Sequence, residues 1–319
     1  MTFSPRLRPA GSTVRFARPA HTFGLVLALA TAVVTAVVTV GAQSQPRKIY
    51  TSLVDKKGAP VTTVTPADLV VREDGVAREI LSVTPATDPM RVALLVDNSQ
   101  AATQSIQFLR DALGIFATRL TGAGHSVAFI TLGDRPTLQV DATTELARLK
   151  SRGIDRLFSQ PGSGMYLLEA LIETSKGFVK NETPRPVIVA VITEGKEFSN
   201  ASADNVIRAI RDSGAQFYAL VITEGERASE QDDEVRQRNV VLDRGTSENG
   251  GTREIVISNL GIKDRLDLLA SELLGQVAVT YASPQRLVPA EKITIAATRD
   301  DLTARGVPVR VAAKPVPER

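Results

Sequence analysis

Short apolar runs alternate with stretches of three-and-four spacing through the middle of the chain. Residues 92–96, 126–132, 186–192 and 217–222 are each apolar over the length of one strand. Strands apolar on both sides belong inside a parallel sheet that helices cover on both faces. Between these runs, Ile106, Leu109, Leu113, Phe116 and Leu120 form one helical stripe, and Leu168, Leu171, Ile172, Ser175 and Phe178 a second. Residues 205–210 mark the core of a third helix, and Leu266, Leu269, Ala270 and Leu273 a last one, followed by a strand at 277–281. A short edge strand at 138–140 and a short helix at 145–149 complete the series. The alternation predicts an α/β fold, Rossmann-like and doubly wound, with a mainly parallel sheet.

The flanks read differently. Residues 49–54 and 69–72 are strand-like and end in the turns Asp55-Lys56-Lys57-Gly58 and Glu73-Asp74-Gly75. In the tail, 293–296 and 307–311 are strand candidates around a turn at Arg305-Gly306. Some forty residues cannot bury a core alone. A small β-rich companion domain over 43–88, completed by 284–319, is therefore expected beside an α/β domain over 89–283. Residues 226–250 are dense in charge, with Glu230-Gln231-Asp232-Asp233-Glu234 and no sustained apolar period, and predict a mobile insertion.

Candidate chemistry gathers where strands end. Val96 is followed by Asp97-Asn98-Ser99, and open α/β sheets place ligands beyond the carboxyl ends of their strands. Thr193-Glu194-Gly195 closes one strand and recurs thirty residues later as Thr223-Glu224-Gly225, one βαβ interval, which puts both glutamates on the same edge. Asp97-Asn98-Ser99 after an apolar strand resembles the first strand of the von Willebrand factor A family. There, a metal-ion-dependent adhesion site begins Asp-x-Ser-x-Ser and gains a Thr and an Asp from two later loops. Residues 54–61 and 65–75 are similar to the β-rich preface of bacterial von Willebrand factor A-related proteins, and the helix leading into Gln276-Val277-Ala278-Val279-Thr280-Tyr281 to their end. The resemblance covers about residues 48–312 and implies metal ligation at Asp97 and Ser99, with Glu194 replacing the later Asp. It departs at Ala101, where the second Ser is absent, and at Gly162-Ser163-Gly164-Met165, where the Thr is absent and Ser163 is the nearest substitute. Mg²⁺ requires close, near-octahedral oxygen ligation. The site therefore reads as degenerate: no cofactor is expected, and Mg²⁺ or another divalent cation is the ion it would take.

Charge and composition limit the alternatives. Arg6, Arg8, Arg15 and Arg18 precede an apolar run at 23–40, and no acid occurs in the first 42 residues. This predicts export, with cleavage near Val40-Gly41-Ala42 and retention as an inner-membrane anchor as the alternative. The rest holds 34 basic against 35 acidic residues, so no basic stripe suggests nucleic acid. The absence of cysteine in an exported chain points to a bacterial periplasm or secreted envelope protein. Beyond the leader His125 is the one histidine, which excludes Cys/His nucleophiles and His-rich zinc sites. Its place before the second strand puts it opposite Asp97 and Ser99. The expected function is a non-enzymatic adhesion or scaffold module docking a protein partner at the sheet's carboxyl edge. A hydrolase using rim carboxylates and a purely structural envelope component are the alternatives.

Overall fold

The computed structural model describes residues 44–225, 227–285, 288 and 290–309; the expected leader at 1–42 and the residues from 310 onward lie outside them. Strands β1 (Ser44–Asp55), β2 (Leu69–Glu73), β3 (Val76–Arg78) and β4 (Ile80–Pro85) come first. The alternation then runs β5 (Arg91–Val96), α1 (Ile106–Gly122), β6 (Ser126–Thr131), β7 (Thr137–Thr143), α2 (Leu146–Arg152), α3 (Leu167–Lys180), β8 (Pro186–Thr193), α4 (Ala203–Ser213) and β9 (Gln216–Ile222). It continues with α5 (Asp233–Val240), β10 (Arg253–Val256) and α6 (Ile262–Leu274), and ends in β11 (Val277–Pro284), β12 (Ile293–Ala297) and β13 (Leu302–Pro308).

The six-stranded sheet has the order β10-β9-β8-β5-β6-β7, parallel except for β7 at its edge. Strand periodicity explains the two layers of helix. Val92, Leu94 and Val96 point into one core with Leu109, Leu113 and Phe116 of α1 and Leu266 and Leu273 of α6. Ala93 and Leu95 point into the other, with Leu168 and Leu171 of α3 and Val206 and Ile210 of α4. Burying one such side chain stabilises the fold by about 1.5–3 kcal/mol, which makes β5 the strand around which both layers assemble. Among the described residues no helix is long and apolar enough to cross a membrane.

Two smaller antiparallel sheets, β13-β1-β11-β4 and β12-β2-β3, enclose a third core built on Ile49, Leu53, Val71, Val279 and Tyr281. The tail strands thus pair with the first strands, β13 with β1 and β12 with β2. A buried polar seam joins these sheets to the amino ends of the parallel strands. Gln276 Nε2 donates to Ser52 Oγ at 2.9 Å and Gln216 Oε1 at 2.8 Å, and Arg185 donates to Asp88 O at 2.6 Å and Gln276 Oε1 at 2.8 Å.

Two local expectations are corrected. Residues 233–248, within the 226–250 stretch read as lacking an apolar period, are helical: α5 leads into a π-helical turn at Val241–Gly245 and a last turn at Thr246–Glu248. Val235, Arg238, Val241 and Leu242 form its buried stripe, and the charged residues between them hide the period. Arg305-Gly306 is not a turn but lies within β13, opposite Ser52 and Thr51. Gly306 is needed there for close approach, since a Cβ would stand 2.5 Å from Tyr50 O and 2.9 Å from Ile49 Cγ2. Gly306→Ala should therefore lower stability by about 1–3 kcal/mol, read as a fall in the urea midpoint at constant slope. A midpoint equal to wild type would return Gly306 to a solvent-facing turn.

Candidate functional site

Asp97 follows the last residue of β5 and is fully buried. A carboxylate there must be matched by donors. Its Oδ1 accepts from Ser99 N at 2.8 Å, and its Oδ2 from Thr193 N at 3.1 Å and from the Thr193 hydroxyl. Asp97 thereby ties the loop after β5 to the loop after β8. Asn98 makes the next tie: its Oδ1 accepts from Gly133 N at 2.7 Å, its Nδ2 donates to Phe158 O at 3.2 Å, and its carbonyl accepts from Gln160 N at 2.8 Å. Met165, fully buried, donates its N–H to Lys196 O and accepts from Phe198 N, both at 2.8 Å. The loops at the carboxyl edge are one latched platform.

The sequence-predicted residues share this edge without converging. Ser99 is buried beside Asp97, and its hydroxyl has no hydrogen-bond partner among the described residues. Glu194 Oε2 instead lies 2.9 Å from Arg227 Nε, an ion pair outside hydrogen-bond alignment. The Glu224 carboxylate caps the loop after β10 by accepting from Asn259 N at 2.5 Å. Ser163 Oγ donates within its own loop to Gln160 O at 2.8 Å. His125, at the amino end of β6 and so on the opposite edge, is buried and accepts from Met90 N at Nδ1, 3.2 Å away. Burial, and then the charge of Arg185, lower its pKa.

Two charged residues that the sequence did not single out lie beneath the platform. Glu197 accepts from Ser199 N at 3.1 Å and Leu167 N at 3.3 Å. Burial pushes its pKa from the usual 4.5 to about 7, against the opposing pull of those donors and of Arg238. Arg238, on the buried stripe of α5, donates to Gly195 O. Burial lowers its pKa, and the carboxylates of Glu197, Asp97 and Glu194 oppose that fall. The available signal was a charge at an apolar register position: Arg238 stands three residues after Val235 and three before Val241.

A central parallel strand ending in a buried Asp-Asn-Ser, flanked by parallel neighbours in the order β9-β8-β5-β6 with an antiparallel β7 at the edge, is the deciding arrangement. The fold is von Willebrand factor A-like. No family model and no curated protein matches the chain. Among solved structures it is similar to a von Willebrand factor type A protein from Catenulispora acidiphila, at 13% identity over 86% of this chain and 67% of that one, with a TM-score of 0.47. BatB from Bacteroides thetaiotaomicron is 17% identical over 57% of this chain and 98% of its own, with a TM-score of 0.41. The vWF domain of the type V pili tip protein Mfa5 from Porphyromonas gingivalis is 10% identical over 58% of this chain and 95% of its own, with a TM-score of 0.44.

The side chains gathered around Asp97 do not offer the donor set of a divalent ion. Ala101 and Met165 carry no side-chain oxygen at the positions where the resemblance of the sequence led to the expectation of hydroxyls. Both Asp97 oxygens are held by N–H and O–H donors, and Glu194 is paired with Arg227. Gly195 fills space beside Ser99, for a Cβ there would stand 2.4 Å from the Ala101 methyl and 3.7 Å from Ser99 Oγ.

A rim hollow of about 480 Å³ opens instead beside this point, lined by Tyr166, Lys196, Glu197, Phe198, Asp232 and Glu234. A larger one of about 790 Å³ borders the amino end of β9, but its Arg211 and Arg244 are both paired with Glu248.

The raised pKa of Glu197 sets the sign of a pH effect. The folded state keeps a proton that the unfolded chain releases above about 4.5, so this contribution is present at low pH and is lost as pH rises through about 7. Relative to Glu197→Gln, wild type should lose up to about 3 kcal/mol of stability between pH 5 and pH 8, measured by urea unfolding at each pH. A difference that does not change with pH would show an unperturbed carboxyl.

Proposed function

We propose that this chain is an exported, non-enzymatic docking module that holds a protein partner on the carboxyl edge of its six-stranded sheet without a metal ion. The observation that carries this reading is a pair of phenylalanines raised on the latched loops: Phe158 is 63% exposed and Phe198 47%. Exposed aromatic side chains ringed by polar ones are the composition of interface anchors. Both rings are held before any partner arrives. The Arg110 guanidinium lies 4.5 Å from the Phe158 ring centre, and Phe198 meets Tyr166 edge-on at 6.0 Å. Held rings lose less freedom on binding. Lys196, Asp232 and Glu234 supply charges of both signs around the hollow beside Phe198, which suits a protein surface better than a polyanion.

The apolar run at 23–40, outside the described residues, supports placement beyond a membrane, and the lack of cysteine supports a bacterial envelope. The metal-free part of the reading is supported by the oxygen-free side chains of Ala101 and Met165 and by the committed donors around Asp97.

Asp97 is a poor probe of docking because it is buried and holds the platform together. The rim aromatics are the right probe. The full-length chain used as bait on an envelope extract should capture a protein identifiable by mass spectrometry. Replacing Phe158 and Phe198 together by Ala should then weaken that complex by about thirtyfold, on the order of 2 kcal/mol, with an unchanged melting temperature. Undiminished affinity in the double variant would place the docking surface elsewhere.

A further inference from the structure

We propose that β10 is a self-pairing edge along which two copies of this chain join their six-stranded sheets into one continuous sheet. Among the described residues β10 ends that sheet and hydrogen-bonds to β9 on one side only. Thr252 O and Val256 O accept from Ala219 N and Thr223 N, so the backbone groups of the even-numbered residues face β9. Alternation along the strand turns those of Arg253 and Ile255 outward. Unpaired N–H and C=O groups in a row are a template for a further strand. Large apolar side chains mark the same stretch: Ile255 is 53% exposed, Ile257 81% and Leu260 76%. Edges that stay free are ordinarily protected by Lys, Pro or a bulge. Residues 253–257 contain neither Lys nor Pro, and the register of β10 on β9 runs without a shift. The opposite edge of the sheet, β7, is interrupted by register shifts between Val127 and Ile130 of its neighbour and carries Asp141.

The occupant is a second copy because the edge complements itself. A two-fold axis makes a contact isologous, so each residue must suit what its own symmetry mate presents. Antiparallel pairing centred on Ile255 sets that side chain against its copy, apolar on apolar, and Arg253 opposite Ile257. Centring on Glu254 would set two carboxylates directly opposite each other, which is destabilising. Charge favours the first register as well. Arg265 stands 3.9 Å from Glu254, both half exposed and too far apart for a hydrogen bond, so two arginines and two glutamates alternate around the axis. Arg253 is already paired with Asp243 at 2.8 Å. Beyond residue 42 the chain holds 34 basic and 35 acidic residues, so little net repulsion opposes association. Antiparallel pairing also turns the parallel strands of the two copies in opposite directions, which puts their carboxyl rims at opposite ends of the joined sheet. With the docking reading above, such a pair would bridge two partners. The pairing itself does not rest on that reading, and its test reads mass and cross-links, not partner capture.

The chain has no cysteine, which makes a site-specific test possible. In the purified full-length chain, kept in mild detergent because residues 23–40 are apolar, Ile255→Cys puts one thiol beside the axis. Opposed residues of a hydrogen-bonded antiparallel pair have Cα atoms about 5.5 Å apart, within disulfide reach. Mild oxidation should convert most of this variant to a covalent dimer. Leu138→Cys, on β7 and 54% exposed, is the control and should stay largely uncross-linked. Sedimentation equilibrium in density-matched detergent should give a dimer for wild type, with a dissociation constant raised at least about tenfold by Ile255→Lys and by Ile257→Lys, since a charge on the pairing edge blocks a second strand. Ile257 is the more exposed, so its variant should keep the wild-type melting temperature and decides if Ile255→Lys does not fold. Association through residues 23–40 would be common to all variants and would not separate them. Equal cross-linking of the two cysteine variants, or none at Ile255→Cys, would overturn the proposal. So would Ile257→Lys dimerising as tightly as wild type, or a wild type that is monomeric at high micromolar concentration, which would leave the edge to an extended segment of another protein.

Discussion

Burial of β5 on both faces is the constraint from which the rest follows. Val92, Leu94 and Val96 require one apolar layer and Ala93 and Leu95 another, so helices must cover both sides and the connections between parallel strands must cross over. Crossovers leave the loops at the two ends of the sheet. The amino end is closed by the β-rich sheets, and the carboxyl end carries the loops after β5, β6, β8, β9 and β10. A chain built around such a strand has one open edge on which to place a site.

Each end of the sheet is closed by a buried arginine, and the two work differently. At the amino end Arg185 is matched mainly by dipoles: the carbonyls of Ala86 and Asp88, the amide oxygen of Gln276, and the Tyr50 ring 4.6 Å from its guanidinium. At the carboxyl end Arg238 donates to the carbonyl of Gly195, and the carboxylate charges that act on it, Glu197 first, do so without a direct ion pair. A guanidinium presents several donors in a fixed plane and is less strongly hydrated than an ammonium. That suits it to places where several loops converge and water is excluded. The two ends therefore answer the same problem, unpaired polar backbone at strand termini, with the same side chain in different electrostatic settings.

What was legible in the sequence was what depends on local period. The parallel strands and the helices of the stripes at 106–120, 168–178 and 266–273 appear at those positions, because a long apolar period leaves little choice of burial. The von Willebrand factor A-like fold was legible from Asp97-Asn98-Ser99 at a strand end. The helix at 233–240 was not, because its buried stripe contains an arginine and its exposed positions are crowded with charge, so hydropathy falls where burial is high. Gly306 misled for a related reason. A glycine in a polar context signals a turn, and only the opposing Tyr50 carbonyl reveals that it is there for close packing. In the candidate site, Asp97, Ser99 and Glu194 could be placed on one edge from strand ends alone. Their partners could not, since Thr193 and Arg227 reach them through tertiary packing that no spacing encodes.

The division of labour at the rim follows from that difference. The acidic residue most conspicuous in the sequence, Asp97, is spent on holding two loops together, and a group with both oxygens committed to donors and no exposure has little capacity left for a partner. Surface chemistry passes to the side chains that the latch supports, Phe158 on the carbonyl held by Asn98 and Phe198 on the backbone held by Met165. Aromatic anchors on a rigid base can change identity without disturbing the hydrogen bonds below them, because those bonds are made by backbone and by buried groups. The platform needs its carboxylate tied, and Ser99 and Thr193 meet that need from within the chain.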